Sequence, residues 1–116
     1  MRRDVDALRG AMLNHEAYSK KVIAEMGVQR RVVCAADRRS DGTIVCAARH
    51  SDPRMHLQKA LIGGNWDGCE QGFIDQWSVF MDRLEAWQVA LAAGQIIRRV
   101  GNDDMNGGTL YSENLY

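Results

Sequence analysis

A chain of 116 residues with 15 basic and 15 acidic side chains carries no net charge at neutral pH. This balance argues against a general nucleic-acid binder and against an acidic DNA mimic, because each would carry a large excess of one charge. The length fits one core with one or two working surfaces, and the hydrophobic content of 46% is that of an ordinary globular chain.

Residues 1–28 predict an added N-terminal helical segment, either one long helix with a bend or two shorter helices, because Gly10 and Asn14 are weak helix formers. Apolar side chains recur along one side at helical spacing, and Gly27 follows as a natural stop. The segment either covers the sheet of the domain that follows, residues 29–116, or forms an arm that binds a partner. A homo-oligomer held together by this arm is therefore one expectation. The apolar positions are Val5, Leu8, Met12, Val22, Ile23 and Met26.

Residues 31–49 predict a β-hairpin. The stretches 31–37 and 43–49 both contain Val-Cys-Ala-Ala, and the Asp41-Gly42 pair between them is a strong hairpin signal. Small and β-branched residues on both faces predict that the two strands lie beneath a helix.

The three cysteines indicate reduced thiols. Their count is odd, no Cys-x-x-Cys occurs, and the N-terminus lacks the apolar core of a signal peptide. The hairpin turn places Cys34 opposite a residue near Arg49 and not opposite Cys46, so we expect no disulfide between these two cysteines. We expect a cytoplasmic protein, since no window approaches the ~18 apolar residues of a membrane span.

Residues 53–62 predict a helix. Ser51 or Asp52 caps it, and Pro53 occupies the first turn, where its missing N–H does no harm. Two glycines after residue 62 end the helix. Its apolar positions are Met55, Leu57, Leu61 and Ile62.

The start of this helix is a candidate anion-binding site. Free N–H groups and the helix dipole favour an anion there, and Arg49, His50 and Arg54 add positive charge. With Ser51 they form a hypothetical site for a phosphate or nucleotide, and ordinary capping with surface charge is the alternative. A metal site on His50 and a second histidine matches no common zinc spacing, so we expect neither metal nor cofactor.

Four further segments are predicted to be strands. The pieces 72–75 and 79–81 flank a short turn and predict either a second hairpin or one extended arm with a bulge. Residues 95–100, which read QIIRRV, predict a short strand that closes the unit. Residues 109–111 predict a final strand.

A second helix is predicted over residues 83–93. Asp82 and Glu85 form a capping box at its start, and Gly94 stands where a left-handed stop is expected. Apolar residues at helical spacing predict that one face is buried. They are Leu84, Trp87, Ala90 and Leu91.

The end of the chain combines a polar loop with an apolar tail. Residues 101–108 have turn composition and are the segment most favoured as a mobile loop. Leu115 and Tyr116 would be unusual in a solvated tail, so we expect them to dock on the domain.

Arginine pairs and tryptophans provide a candidate partner-binding surface. Pairs at 30–31, 38–39 and 98–99 would, if gathered at one sheet edge, contact RNA, DNA or an RNA-guided host complex. The alternative is a solvated edge that charge protects from aggregation. Two tryptophans lie in turn-rich stretches, where an exposed indole anchors interfaces, whereas Trp87 belongs to the core. The candidates are Arg38, Arg39, Trp66, Trp77, Arg98 and Arg99.

No catalytic residues are assigned. Cysteine catalysis requires a thiol beside a base, but all three cysteines lie in apolar or strand contexts that indicate structural residues. No pattern brings Glu70, Asp75 or Glu113 together for acid–base chemistry. The sequence therefore favours a binding protein over an enzyme.

Several of these motifs resemble one known group of proteins. The stretches 71–76, 80–83, 93–96 and 110–116, which read QGFIDQ, FMDR, AGQI and LYSENLY, are similar to small accessory proteins of tailed bacteriophages and prophages. The similarity begins near Arg31 and leaves out the helical segment. It implies a phage protein that works in the bacterial cytoplasm, and such genes often encode inhibitors of host defence. The resemblance supplies no catalytic residues.

These observations predict an α+β fold with an antiparallel sheet of four or five short strands, two packed helices and the added N-terminal helix. The favoured function is a phage protein that blocks a host defence protein or ribonucleoprotein complex by occupying its surface, as an anti-CRISPR does. A small nucleotide-binding protein or enzyme that uses the Arg49–Arg54 corner is the second hypothesis. A phage regulator that contacts nucleic acid through the arginine pairs is the third.

Overall fold

The computed structural model describes residues 27–116. The chain divides into two units between residues 30 and 31, and the sheet with its two helices lies in the second unit, Arg31–Tyr116. Residues 1–26 of the predicted N-terminal segment 1–28, and with them the predicted oligomerising arm, lie outside the described residues.

Four antiparallel strands form one sheet. They are β1 (Val32–Arg38), β2 (Ile44–Ala47), β3 (Glu70–Asp75) and β4 (Phe80–Asp82), and their order across the sheet is β2-β1-β3-β4. Both predicted hairpins are present, and the α+β prediction with four strands is confirmed.

The register of the first hairpin separates two cysteines. Cys46 lies opposite Ala36 of β1, so Cys34 is one step further along the same face and only a diagonal neighbour. Both thiols are free, as the sequence predicts. Burial, together with the neighbouring Cys46, raises the pKa of Cys34 to about 12. Cys34 is therefore a protonated thiol at neutral pH.

The first helix, α1, spans Pro53–Ile62 and lies beside the edge strand β2. The Asp52 carboxylate accepts the backbone N–H of Arg54 at 2.8 Å, which confirms the predicted cap. Met55 is the one residue of α1 that is fully buried. The helix is therefore held mainly by polar contacts on its inner side and exposes most of its length.

The second helix, α2, spans Arg83–Ala92 and packs on the sheet. The Asp82 carboxylate accepts the N–H of Glu85 at 2.8 Å, as the capping motif predicts. Its buried residues are Ala86, Trp87 and Ala90. The two small alanines on this face allow the helix to approach the sheet closely.

The prediction of which face of α2 is buried is wrong for its two leucines. Leu84 is 48% exposed and Leu91 is 57% exposed. The buried face is rotated away from the leucines and consists of Trp87 and the two alanines, Ala86 and Ala90. The hydrophobic core lies between one face of the sheet and both helices, and it consists of Val32, Ala35, Val45, Met55, Phe73, Met81, Ala86, Trp87, Ala90 and Leu110.

Two glutamine side chains pair with backbone groups at open strand edges. Gln58 of α1 accepts the N–H of Cys46 at 3.1 Å and donates to its carbonyl oxygen at 2.6 Å. Gln95 accepts the N–H of Val32 and donates to its carbonyl oxygen, both at 2.8 Å. Each side-chain amide thus supplies the donor and the acceptor that a further strand would supply.

The two additional predicted strands, 95–100 and 109–111, are wrong. At the first, the side chain of Gln95 pairs with β1, while the N–H of Ile97 donates to the carbonyl of Asn114 at 2.9 Å. At the second, the N–H of Leu110 donates to the carbonyl of Arg83 at 3.0 Å. The backbone groups are satisfied by isolated long-range bonds, so no ladder forms.

A buried polar centre anchors the C-terminal segment. Asn114 is fully buried, and its amide donates to the carbonyl of Arg98 and to the carboxylate of Asp103, both at 2.9 Å. Its side-chain oxygen accepts the N–H of Tyr111 at 2.8 Å. Asp103 is itself buried and accepts three close contacts from Arg99, so the loop over 101–108 is tied down at this point.

The predicted docking of the tail is confirmed. The hydroxyl group of Tyr116 donates to the carbonyl of Val33 at 3.2 Å. The carbonyl oxygen of Tyr116 accepts a hydrogen bond from Arg49 at 3.0 Å. Leu115 packs against the core.

Candidate functional site

The predicted anion corner is occupied by the protein's own groups at His50. Its Nε2 lies 2.8 Å from the carbonyl oxygen of Gly72 and must donate, which leaves Nδ1 to accept from the Ser112 hydroxyl at 3.0 Å. Burial, aided by the charge of Arg83, lowers the pKa of His50. His50 is therefore a neutral, half-buried residue that holds the C-terminal segment, and it offers no positive charge to a ligand.

The other residues of the predicted anion corner either make hydrogen bonds within the protein or project into solvent. Arg49 is bonded to Tyr116, and the carboxylate of Asp52 already provides the negative charge at the start of α1. Ser51, which has a positive φ of 62°, lies in the turn between Arg49 and Asp52. Arg54 projects outward, with 82% of its side chain exposed. The structure thus places these residues side by side without directing them at a common point.

A buried ion pair fixes the inner side of α1. The ammonium group of Lys59 donates to Asp37 of β1 at 2.6 Å and lies 3.9 Å from the sulfur of Cys69. Burial opposes the charge of Lys59, yet the bond to Asp37 raises the pKa of Lys59. Burial and the same carboxylate raise the pKa of Cys69. The ion pair ties α1 to β1. Because its pKa is raised, Cys69 is a poor nucleophile.

Arg39 joins the β1–β2 turn to the end of α1. Its guanidinium donates to the Asp41 carboxylate at 2.8 and 3.1 Å, to the carbonyl of Gly63 at 2.9 Å and to the Thr43 hydroxyl at 3.0 Å. It also lies 4.6 Å from the ring centre of Trp66. Four of the five N–H donors of Arg39 are used within the protein, so this arginine has a structural role.

Arg38 differs from its neighbour because most of its donors are free. It makes a 2.6 Å ion pair with Glu70 through Nη2, and its guanidinium lies 4.2 Å from the ring centre of Phe80. Within residues 27–116, Nε and Nη1 have no acceptor. Both members of the ion pair are nearly half exposed. Arg38 is therefore held in a defined orientation while remaining open to solvent.

The two arginines line an open cleft, which we call the turn cleft. It has a volume of about 400 Å³ and is bounded by Arg38, Arg39, Ser40, Gly42, Gly68 and Glu70. A second cavity of about 320 Å³ shares Arg39 and Ser40 with it and extends to Gly64, just beyond α1. The surface therefore continues from the end of α1 into the turn cleft.

The remaining predicted partner-binding residues lie elsewhere. Arg99 is paired with Asp103 and Asp104 and lies over Trp87, and the hydrogen bonds hold the pKa of Asp103 well below its usual range. Arg98 is exposed beside this loop. Trp77 is half-buried in the β3–β4 turn, and Trp66 is half-buried against the core. The arginine pairs are thus held by separate parts of the chain.

The outer side of α1 carries an exposed apolar stripe that sequence reasoning missed. Arg54, Leu57 and Leu61 follow each other at i, i+3 and i+7, and we call them the α1 stripe. Leu57 is 58% exposed and Leu61 is 78% exposed. The sequence holds a signal for this arrangement, because Met55 and Ile62 share a different helical face and only one face can point inward.

The described residues 27–116 contain no group of three His, Cys, Asp or Glu side chains placed to hold a metal ion. Over the same range, no helix has the length and apolar character that crossing a membrane requires. Neither observation adds a site to the turn cleft and the α1 stripe.

A protein-family profile described as phage T4 y16D protein matches residues 31–116. The chain belongs to the phage T4 y16D protein family. No curated protein and no solved structure matches it. The match confirms the predicted resemblance to a family of small phage proteins.

The y16D match coincides with the structural unit Arg31–Tyr116. Both the turn cleft and the α1 stripe lie inside the region shared with the phage T4 y16D family. The segment before Arg31 lies outside it.

Proposed function

We propose that this y16D-family protein is a binding protein that blocks a component of bacterial host defence by occupying one of its protein surfaces. The α1 stripe carries the proposal. An apolar surface rimmed by polar groups on a rigid helix is typical of a protein-binding site, and a helix needs no such surface to remain folded. The occupant is a host protein segment with an apolar surface for the two leucines and a carboxylate opposite Arg54.

Charge and packing favour this function over the other two hypotheses. A nucleotide at the Arg49–Arg54 corner would have to displace the tail from Arg49 and the cap at Asp52. A nucleic-acid backbone would meet Arg39 and Arg99 already paired with carboxylates, on a protein without net charge. A protein partner requires neither rearrangement.

The matched leucines of the two helices allow a sharp test. The double variant Leu57→Glu/Leu61→Glu alters the α1 stripe, and Leu84→Glu/Leu91→Glu makes the same change at comparably exposed positions of α2. If both leucines of the α1 stripe are buried against the partner, losing them costs about 3 kcal/mol of binding free energy, or about a hundredfold in Kd. Folding of both variants is checked by circular dichroism.

The assay expresses each variant in bacterial strains that each carry one active defence system, among them an RNA-guided nuclease complex. The native chain is expected to restore plaque formation by a sensitive phage in one strain and to co-purify stoichiometrically with a component of that system. The α1 variant should lose both effects, and the α2 variant should keep both. Absence of protection in every strain would refute the role in host defence, and equal protection by both variants would refute the α1 stripe.

A further inference from the structure

We propose that the turn cleft is a carboxylate-binding site that receives an acidic side chain of the partner protein. The inference rests on the proposed function, because it assigns the chemistry of a second contact on the same surface. The cleft adjoins the end of α1 through the cavity that contains Gly64, so one partner segment can reach both.

The donors of Arg38 provide the first argument. A guanidinium has five N–H donors, and Arg38 uses one of them for Glu70. Arg38 lines a cleft of about 400 Å³, which is large enough for a carboxylate side chain. Glu70 itself demonstrates that a carboxylate fits against this guanidinium at 2.6 Å.

The orientation of Arg38 is fixed by a stack of residues from three strands. Arg38 of β1 lies over Phe80 of β4, and the Phe80 ring lies over Gly72 of β3. A side chain at Gly72 would collide with that ring and with the carbonyl of Met81. Because the guanidinium is already held against an aromatic face, binding a carboxylate loses less side-chain entropy than it would at a free arginine.

The surrounding charge selects a carboxylate over a phosphate chain. Two arginines and two carboxylates, Glu70 and Asp41, lie in and beside the cleft, so its net charge is zero. A polyanion would be repelled by both carboxylates, whereas one carboxylate can share the open side of Arg38. Arg39 forms a wall of the site, and four of its five N–H donors already make hydrogen bonds within the protein.

Peptide titration of the full-length, ¹⁵N-labelled protein tests the site without any defence system. The probes are a short acetylated peptide of leucine and glutamate, the same peptide with glutamine at each glutamate, and a single-stranded oligoribonucleotide of equal charge. The glutamate peptide is expected to shift the backbone amide signals of Ser40, Gly42 and Gly68 saturably. The glutamine peptide and the oligoribonucleotide should leave them in place.

Two variants and a control complete the experiment. Arg38→Gln should abolish the shifts, and Arg98→Gln, which removes an exposed arginine elsewhere, should not. Glu70→Gln removes the competing carboxylate and should strengthen binding by up to about fivefold. Should Arg38→Gln fail to fold, Glu70→Gln alone decides, because unchanged or weaker binding would overturn the proposal.

Equal shifts with the glutamate and glutamine peptides, or larger shifts with the oligoribonucleotide, would also overturn it. Peptide binding without plaque restoration in any strain would reject the defence role and retain the carboxylate site. In the opposite case, the Arg38→Gln variant restores plaques at the native level and the native chain binds no peptide. That result would reject the carboxylate site and retain the defence role.

Discussion

Replacement of Asn114 by alanine probes the polar centre that fixes the C-terminal segment. The substitution removes three side-chain hydrogen bonds in a fully buried position and leaves the N–H of Tyr111 and the carbonyl of Arg98 without those partners. Each lost neutral bond costs about 1 kcal/mol, the bond to the Asp103 carboxylate costs more, and unsatisfied buried groups add to both. We expect a loss of about 4 kcal/mol in the free energy of unfolding.

Such a loss is a large part of the ~5–15 kcal/mol that stabilises a typical domain. In a domain of this size it lowers Tm by roughly 20 °C. Urea unfolding followed by far-UV circular dichroism measures the free energy, and the indole N–H signal of Trp87 in NMR spectra reports on the packing of α2. Glu113→Ala, at the exposed position next to Asn114, is the control and should change stability by less than about 0.5 kcal/mol.

The result that would refute this reasoning is a loss below about 1 kcal/mol for Asn114→Ala with an unchanged urea dependence. The tail would then be held by its apolar contacts, and Asn114 would be incidental. Asn114→Asp provides a second test of the same site. It keeps the shape of the side chain but places a carboxylate 2.9 Å from Asp103, so it should be at least as destabilising.

Three further predictions concern pH, a buried ion pair and a close backbone approach. The pKa of His50 lies below its unfolded value of about 6.5, so the unfolded chain binds the extra proton and stability falls as pH drops through the window below about 6.5. His50→Gln should flatten that part of the pH–stability curve, and His56→Gln, at an exposed site on α1, should leave it unchanged. Lys59→Met leaves Asp37 buried without its partner and should lower the free energy of unfolding in urea by about 3 kcal/mol. Arg54→Met, on the outer side of α1, should be nearly neutral. Equal losses of stability in the two variants would contradict a stabilising role of the ion pair. Gly108→Ala places a side chain on the indole of Trp87 at a φ of 107° and should cost about 3 kcal/mol with a shifted Trp87 indole N–H signal. Gly101→Ala enters open space and should cost far less.

The arginine pairs illustrate how structure changes the meaning of a charge pattern. Arg39 and Arg99 look equivalent to Arg38 and Arg98 in the sequence, yet each is paired with an aspartate and stacked near a tryptophan. Whether an arginine is available depends on partners brought from distant parts of the chain. Among these four arginines, Arg38 alone combines an aromatic support, free donors and a cleft.

Local chemistry in the sequence determined the hairpins, both helices and their boundaries. Asp-Gly turns, aspartate caps and glycine stops act through hydrogen bonds and φ angles within a few residues, so they can be recognised without a fold. The caps at Asp52 and Asp82 are examples. Membership of a small phage family was likewise indicated by short motifs in the chain.

The tertiary structure alone decided which apolar face of each helix is buried, and which polar residues form the interior. Gln95 is 63 positions from Val32, and His50 is 62 positions from Ser112, so no local pattern predicts that these groups bond. Periodicity marks the apolar faces of α1 but does not choose between Met55 and Leu57, because the choice depends on what the sheet offers beneath the helix. The α1 stripe and the turn cleft follow from that choice, since they are the surfaces that packing left uncovered.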